Sequence, residues 1–410
     1  DTAVNPHASR GRSAIPRTVW ALGLVSFLMD VSSETIHSLL PLFLTGTLGV
    51  SVALVGLIDG VAESTAAITK VFSGYLSDRW GRRKPLILFG YGLGALTKPL
   101  FAIASGPLIV LGARFADRIG KGTRGAPRDA LIADVTPPDI RGRAFGLRQA
   151  LDTAGAFTGP LLAIGLMALF ANDMRAVFWV AVIPAALATA CVVFGVEEKR
   201  ETVVRTDAAP PIRLEDLAQL RRPFWLVVAI GVVLTLARFS EAFLVLKANA
   251  EGLPLALAPL VLVAMNIVYA LGAYPAGIFS DRVPPGLLLI WGLLALIAAD
   301  LSLAYLPGLI GAFVGICLWG VHLAMSQGLL AKLIADHAPV SLRGSAYGVF
   351  NLATGLSLLF ASLIAGLVWD LAGPAMTFLV GACFAALAGV LVVATQNAIV
   401  LPPDKQGDND

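Results

Sequence analysis

Charged side chains are scarce in this chain. They make up 14% of its 410 residues, against 57% hydrophobic, and the mean hydropathy is +0.81. A soluble domain carries nearer a quarter of its residues as charges, so an ordinary globular protein is excluded. Cysteine is almost missing too. Cys191, Cys317 and Cys383 each fall in an apolar run without paired spacing, which argues against a disulfide framework or a metal knuckle and for buried thiols. There is no Gly-x-Ser-x-Gly elbow, no His-Glu-x-x-His and no paired metal box, so an enzyme is not expected. The net charge of +3 gives no reason to invoke nucleic acid, and no metal or other cofactor is implied. The first 17 residues are polar, with Pro6, Pro16 and several arginines, and lack the apolar core of a signal peptide.

What fills the chain instead is a series of apolar runs, each near the roughly 20 residues that cross a bilayer. They read at about 18–46, 52–76, 85–104, 108–130, 143–169 and 174–196, then 223–248, 255–279, 286–304, 307–336, 343–369 and 375–396. The expected architecture is an all-α membrane protein of twelve transmembrane helices, six plus six. It divides into an N-tail (1–17), a first six-helix bundle (18–197), a linker (198–221), a second bundle (222–398) and a C-tail (399–410). Lys and Arg collect in the N-tail, the 2–3 loop, the 4–5 loop and the linker, while the alternate loops are nearly uncharged apart from Arg175 and Lys247. Both termini are therefore expected in the cytoplasm.

The two bundles repeat one another. Leu131-Ile132-Ala133-Asp134, Arg141-Gly142 and Ala144-Phe145-Gly146 return 202 positions later as Leu333-Ile334-Ala335-Asp336, Arg343-Gly344 and Ala346-Tyr347-Gly348. Gly74 to Arg79 is echoed by Gly277 to Arg282. A repeat this long in so apolar a chain points to a two-halved transporter.

The stretch Gly74-Tyr75-Leu76-Ser77-Asp78-Arg79-Trp80-Gly81-Arg82-Arg83-Lys84, between spans 2 and 3, resembles the signature loop of the major facilitator superfamily. The resemblance covers the whole chain. Its weaker echo between spans 8 and 9 keeps Asp281 and Arg282 but runs on into Val283-Pro284-Pro285, losing the basic run. The resemblance implies a gate on the cytoplasmic side, in which Gly74 and Gly81 allow a tight turn and Asp78, with Arg79 and Arg82, latches the two halves. The basic residues also serve to fix topology. In span 5, Gly146, Gly155 and Gly159-Pro160 resemble the antiporter motif of the drug:proton antiporter branches, although Ala163-Ile164 replaces the closing glycine pair. Gly155 and Gly159 share a face that permits close packing, and the C-half has no equivalent Gly-Pro.

Ionised groups inside a bilayer cost roughly 2.5–3.5 kcal/mol each on insertion scales and are kept where they pair or face a wet cavity. Span 1 carries Asp30, Glu34 and His37 on one face, and span 2 carries Asp59, Glu63 and Lys70. Lys98 lies in span 3; Arg114, Asp117, Arg118, Lys121, Arg124 and Arg128 lie in span 4; Arg148 and Asp152 lie in span 5. Acids and bases are close to balanced, so a pairing network is the economical reading, with Arg114 or Arg118 expected opposite Asp30 and Glu34. The expected proton-coupling set is Asp30 and Glu34 with Arg114, which matches the arginine of the family's span-4 motif. The same residues as static bridges is the plain alternative. Arg118, Lys121, Arg148, Asp152, Arg238, Glu241, Asn266 and His322 are the expected substrate-cavity residues, with Ser240-Glu241 in span 7 echoing Ser33-Glu34.

Taken with the resemblance, these residues imply a secondary transporter of the plasma membrane, the inner one if bacterial, working by alternating access. Proton-coupled export of a small organic compound ranks first, and uptake of an anionic metabolite or metallophore second, since arginines in a dry cavity bind carboxylate or phosphate. A lipid flippase or a non-transporting sensor is the reading from another class. The expected partners are a small-molecule substrate, protons and the lipid bilayer, with the protein a monomer.

Overall fold

The computed structural model describes residues 14–198, 217–326, 329–339 and 342–399. Among them the backbone is helical, with no strand. A bilayer core offers no water to backbone N–H and C=O groups, and a helix satisfies them within its own segment.

Span 1 runs as Arg17–His37, Leu40–Leu42 and a π-helical turn, Phe43–Thr47. Spans 2 to 6 are Val52–Trp80, Lys84–Ile103, Pro107–Val135, Arg141–Leu169 and Met174–Gly195. Span 7 is broken into Arg222–Ala237 and Ala242–Ala250; spans 8 and 9 are Leu260–Arg282 and Pro285–Tyr305. Gly308–Ser326 forms span 10, with Leu329–His337 after it, and Arg343–Ala372 and Pro374–Ile399 are spans 11 and 12. The six-plus-six arrangement of the sequence is therefore present. Eleven helices among the described residues are long and apolar enough to cross a membrane. Span 4 is the twelfth and misses that standard through its charges, five of which (Arg114, Asp117, Arg118, Arg124 and Arg128) are buried against protein. Most of the expected linker, residues 199–216, lies outside the described residues, as do Gln327 and the two chain ends.

Helix ends follow local chemistry. Ser51 caps span 2 by accepting from the Leu54 N–H, and Asp173 caps span 6 by accepting from the Arg175 and Ala176 N–H groups. Gly81, at φ 63°, ends span 2 in the left-handed conformation that glycine adopts without strain.

The two halves meet through spans 2 and 11, spans 5 and 8, and the pieces Leu40–Leu42 and Ala242–Ala250. Spans 2 and 11 approach backbone to backbone. A Cβ at Gly56 would stand 2.1 Å from the Ser362 carbonyl oxygen, and one at Gly366 2.6 Å from the Ala53 Cα. This seam continues through Gly355, packed against Ala67, the midpoint of span 2. Asp370 of span 11 closes its outer end by accepting from the Val52 and Ala53 N–H groups at 3.1 and 2.8 Å. One apolar core crosses both halves on this side, holding Phe43 and Phe178 together with Phe239, Phe243 and Trp319. On the side of the basic loops the N-half has a core of its own, around Leu22, Met29, Tyr91 and Ile132.

Candidate functional site

A cavity of about 420 Å³ lies between the halves. Its N-half wall is made by three spans whose charges fall at matching helical spacings. Asp59 and Glu63 are one turn apart on span 2; Arg114, Arg118 and Lys121 form a stripe on span 4. Facing each other, the two helices form two rungs. Arg114 Nη2 reaches Asp59 Oδ1 at 2.6 Å, and Arg118 Nη2 reaches Glu63 Oε1 at 3.1 Å. His37 of span 1 wedges between the arginines, contacted by Arg114 and lying 3.0 Å from Arg118 Nη2, and Glu34 stands 3.7 Å from its ring.

The C-half wall comes from the break in span 7, which presents Arg238, Phe239, Ser240 and Glu241, together with Asn266, Tyr269 and Trp319. Ser240 Oγ donates to Asp59 Oδ2 at 2.8 Å. Asp59 therefore receives span 4 on one oxygen and the other half of the molecule on the second. The lining holds four carboxylates (Glu34, Asp59, Glu63, Glu241) and four basic groups (Arg114, Arg118, Lys121, Arg238). Two of each sign are consumed in the rungs, while Glu241, Lys121 and Arg238 make no salt bridge among the described residues.

Arg114, Arg118, Lys121, Arg238, Glu241, Asn266 and Glu34 of the expected set are thus in the cavity. The expected pairing is different: the bridges of Arg114 and Arg118 go to Asp59 and Glu63 of span 2, while Glu34 of span 1 lines the same cavity behind His37, which stands against both arginines. Asp30 faces Asp152 instead. Asp152 and Arg148 lie outside the cavity, in a second cluster in which Arg148 bridges Asp152 at 3.1 Å and Arg128 binds Asp129 at 3.1 Å. His322 is also outside it, fully buried, with Nδ1 2.8 Å from the Gly292 carbonyl. Its polarity is absorbed by helix packing. Asp59, Glu63 and His37 are the N-half cavity residues missing from the expected site; the matching i, i+4 spacing on spans 2 and 4 was the signal for the two acids, and the place of His37 one turn after Glu34 on span 1 was the signal for the imidazole.

In the signature loop, Asp78 binds Arg83 at 3.0 Å, and Arg83 binds Asp134 at 2.6 Å while its N–H donates to Glu198. Burial works to lower the Arg83 guanidinium pKa, but the hydrogen bonds it donates to Asp134 and Asp78 outweigh it and raise it above its ordinary value. Among the described residues these contacts stay within the N-half and the start of the linker; the C-half side chains at Asp281 and Arg282, which a latch would meet, lie outside them. Arg79 binds the Tyr75 hydroxyl. Arg82 is close by in the loop, and the helix of span 8 runs through Asp281 and Arg282, whose side chains lie outside the described residues.

The family model for the Major Facilitator Superfamily matches residues 22–361 and 252–408. An uncharacterised MFS-type transporter of Methanocaldococcus jannaschii is 30% identical over 385 residues, covering 92% of this chain and 95% of that one. The multidrug resistance protein MdtH of Photorhabdus laumondii is 33% identical over 132 residues, 32% of either chain. A crystal structure of the nucleoside transporter NupG has the same fold, with a TM-score of 0.77 at 15% identity, covering 93% of this chain and 99% of that one. Twelve spans in two related halves, a charged cavity between them and a family match along the chain lead to one conclusion: this multi-pass membrane protein belongs to the major facilitator superfamily and is a transporter, not an enzyme.

Proposed function

We propose that the protein exports a small organic compound in exchange for protons, by rocking its halves about the cavity. The observation that carries this reading is where the span-5 glycines sit. A Cβ at Gly155 would stand 3.0 Å from the Cβ of Asp30, and one at Gly159 2.8 Å from the Cβ of Glu34. The segment resembling an antiporter motif is packed directly on the two acids of span 1, and span 5 also meets span 8 of the other half. Rocking of the halves therefore moves the surroundings of both carboxyls. A proton reaching Glu34 removes its attraction to Lys121, Arg118 and Arg114, which face it across the cavity. The partial similarity to a multidrug resistance protein favours export.

The seam of spans 2 and 11 closes the side opposite the basic loops, which corresponds to an inward-facing state with both termini in the cytoplasm. A cavity of about 420 Å³ suits a compound at the smaller end of the ligand-site range. The protein works as a monomer in a plasma membrane, the inner one in a bacterium. In proteoliposomes, Glu34→Gln and Asp30→Asn should abolish the dependence of transport on a pH gradient; an unchanged dependence in both would sink the proposal.

A second reading, uptake of an anion, is favoured by Lys121 and Arg238, two bases on opposite walls without a carboxylate bridge. Arg238→Gln would weaken anion binding at least tenfold if that reading holds and leave a cationic or neutral cargo bound.

A further inference from the structure

The offset of 202 residues holds inside the membrane. A Cβ at Gly90 of span 3 would stand 2.6 Å from the Gly120 carbonyl of span 4, and one at Gly292 of span 9 3.8 Å from the His322 carbonyl of span 10. The same offset carries Lys98 to Asp300 and Asp117 to Trp319. In the N-half these positions form a dry ion pair, Lys98 Nζ to Asp117 Oδ1 at 2.8 Å, with Ser33 Oγ 3.0 Å from the ammonium. In the C-half the pair is gone. Both carboxyl oxygens of Asp300 and the Trp319 Nε1 are buried with no hydrogen-bond partner among the described residues, and Asp300 is 0% exposed.

The surroundings of Asp300 are apolar and close-packed. Gly381 of span 12 has no side chain there. A Cβ on it would stand 2.9 Å from Asp300 Oδ2, 3.0 Å from the Phe239 ring and 3.4 Å from the Ala237 carbonyl. Ala237 ends the first piece of span 7, so the break leaves its carbonyl without an intrahelical donor. No charged group faces Asp300 among the described residues. Arg238 and Glu241 of span 7 line the cavity and face each other. On span 10, His322 is bonded to Gly292 and Ser326; the other ionisable groups of spans 10 and 12 are Cys317 and Cys383, and Tyr269 of span 8 lines the cavity. In this conformation no described group donates to Asp300, so an ionised carboxylate would have neither a cation nor a donor to offset its desolvation. A neutral carboxyl needs one acceptor, and the Ala237 carbonyl, like Asp300 Oδ2, lies against the bare face of Gly381.

We propose that Asp300 is a proton-binding site of the C-half, distinct from the span-1 acids, and that the Trp319 indole N–H replaces the proton when it leaves. Trp319 lines the cavity and touches Phe239, with ring centroids 5.5 Å apart. Cargo against the indole is thereby linked to the proton on Asp300. That linkage rests on the exporter reading; the protonation itself does not.

Infrared spectroscopy of the purified protein at pH 7 tests it without a substrate. The wild type is expected to show a protonated-carboxyl C=O band, shifted by D2O and by isotopic labelling of the aspartate carboxyls; the part of it that survives Asp30→Asn should disappear when Asp300→Asn or Asp300→Leu is added. Leucine suits a site that holds no ion, so this variant should fold. A labelled wild type with no protonated aspartate band, or a band on the Asp30→Asn background retained with both Asp300 variants, overturns the proposal. In Trp319→Phe the band should persist at pH 7 and the pH at which it is lost should move; an unmoved midpoint removes Trp319 from the site. A band present while a pH gradient drives no flux would sink the exporter reading and leave the Asp300 site standing.

Discussion

Asp59 holds two contacts that belong to different halves, the Arg114 guanidinium on one oxygen and the Ser240 hydroxyl on the other. Removing one member of a buried pair leaves its partner charged and unmatched, which costs about 3–5 kcal/mol. Asp59→Ala should lower the melting temperature sharply, and Asp59→Ala with Arg114→Ala should recover much of the loss. A double variant no more stable than the single would contradict the pairing. Glu251, beyond the end of span 7, offers a pH test outside the membrane. Hydrogen bonds from Lys247 and from the Gly308 N–H hold its carboxyl below the usual carboxylate range. Its contribution to stability is therefore full above the unfolded value, about 4.3, and is lost as pH falls through the lower folded value. Glu251→Gln should lower the melting temperature near neutrality and reduce the acid loss of stability below about pH 4. Equal acid sensitivity in both proteins would remove Glu251 from that transition.

Along their length spans 2 and 11 are packed on glycines, with the Asp370 carboxylate bonding them at one end. Any side chain at Gly56 or Gly60 meets span 11 backbone, 2.1 Å from the Ser362 carbonyl oxygen and 2.9 Å from that of Leu359. Gly56→Leu should therefore favour the conformation in which this side is open. With Cys191, Cys317 and Cys383 replaced by serine, spin labels at Ser51→Cys and Leu371→Cys should report a longer distance in Gly56→Leu; an unchanged distance would contradict a closed seam. Much at this scale is legible in the sequence. Apolar runs between basic loops locate the spans, and even span 4, with its charges, is marked by the loops on either side. The rotation of one span against another is not legible. Periodicity gives the face on which Arg114 and Arg118 lie but not which neighbour they face, which is why span 1 was expected where span 2 stands. The same ignorance of rotation put Arg148, Asp152 and His322 in the cavity, although each lies in a polar cluster or packing contact of its own.

At the scale of the whole molecule, duplication gives the architecture, and the departures from duplication give the chemistry. The N-half concentrates paired charges, while the C-half answers with a broken span 7 and the dry, unpaired carboxyl of Asp300. Closure on one side goes, among the described residues, with signature-loop contacts within the N-half on the other. The central claim is that protons and cargo exchange through the cavity between the halves. It is tested most directly by reconstituting the protein in liposomes with an internal pH-sensitive dye, imposing a pH gradient and adding pools of organic cations, anions and amphiphiles. Proton flux elicited by one pool and abolished by Glu34→Gln is the predicted result. Flux of a cargo that is indifferent to the pH gradient, in wild type and Glu34→Gln alike, would contradict it.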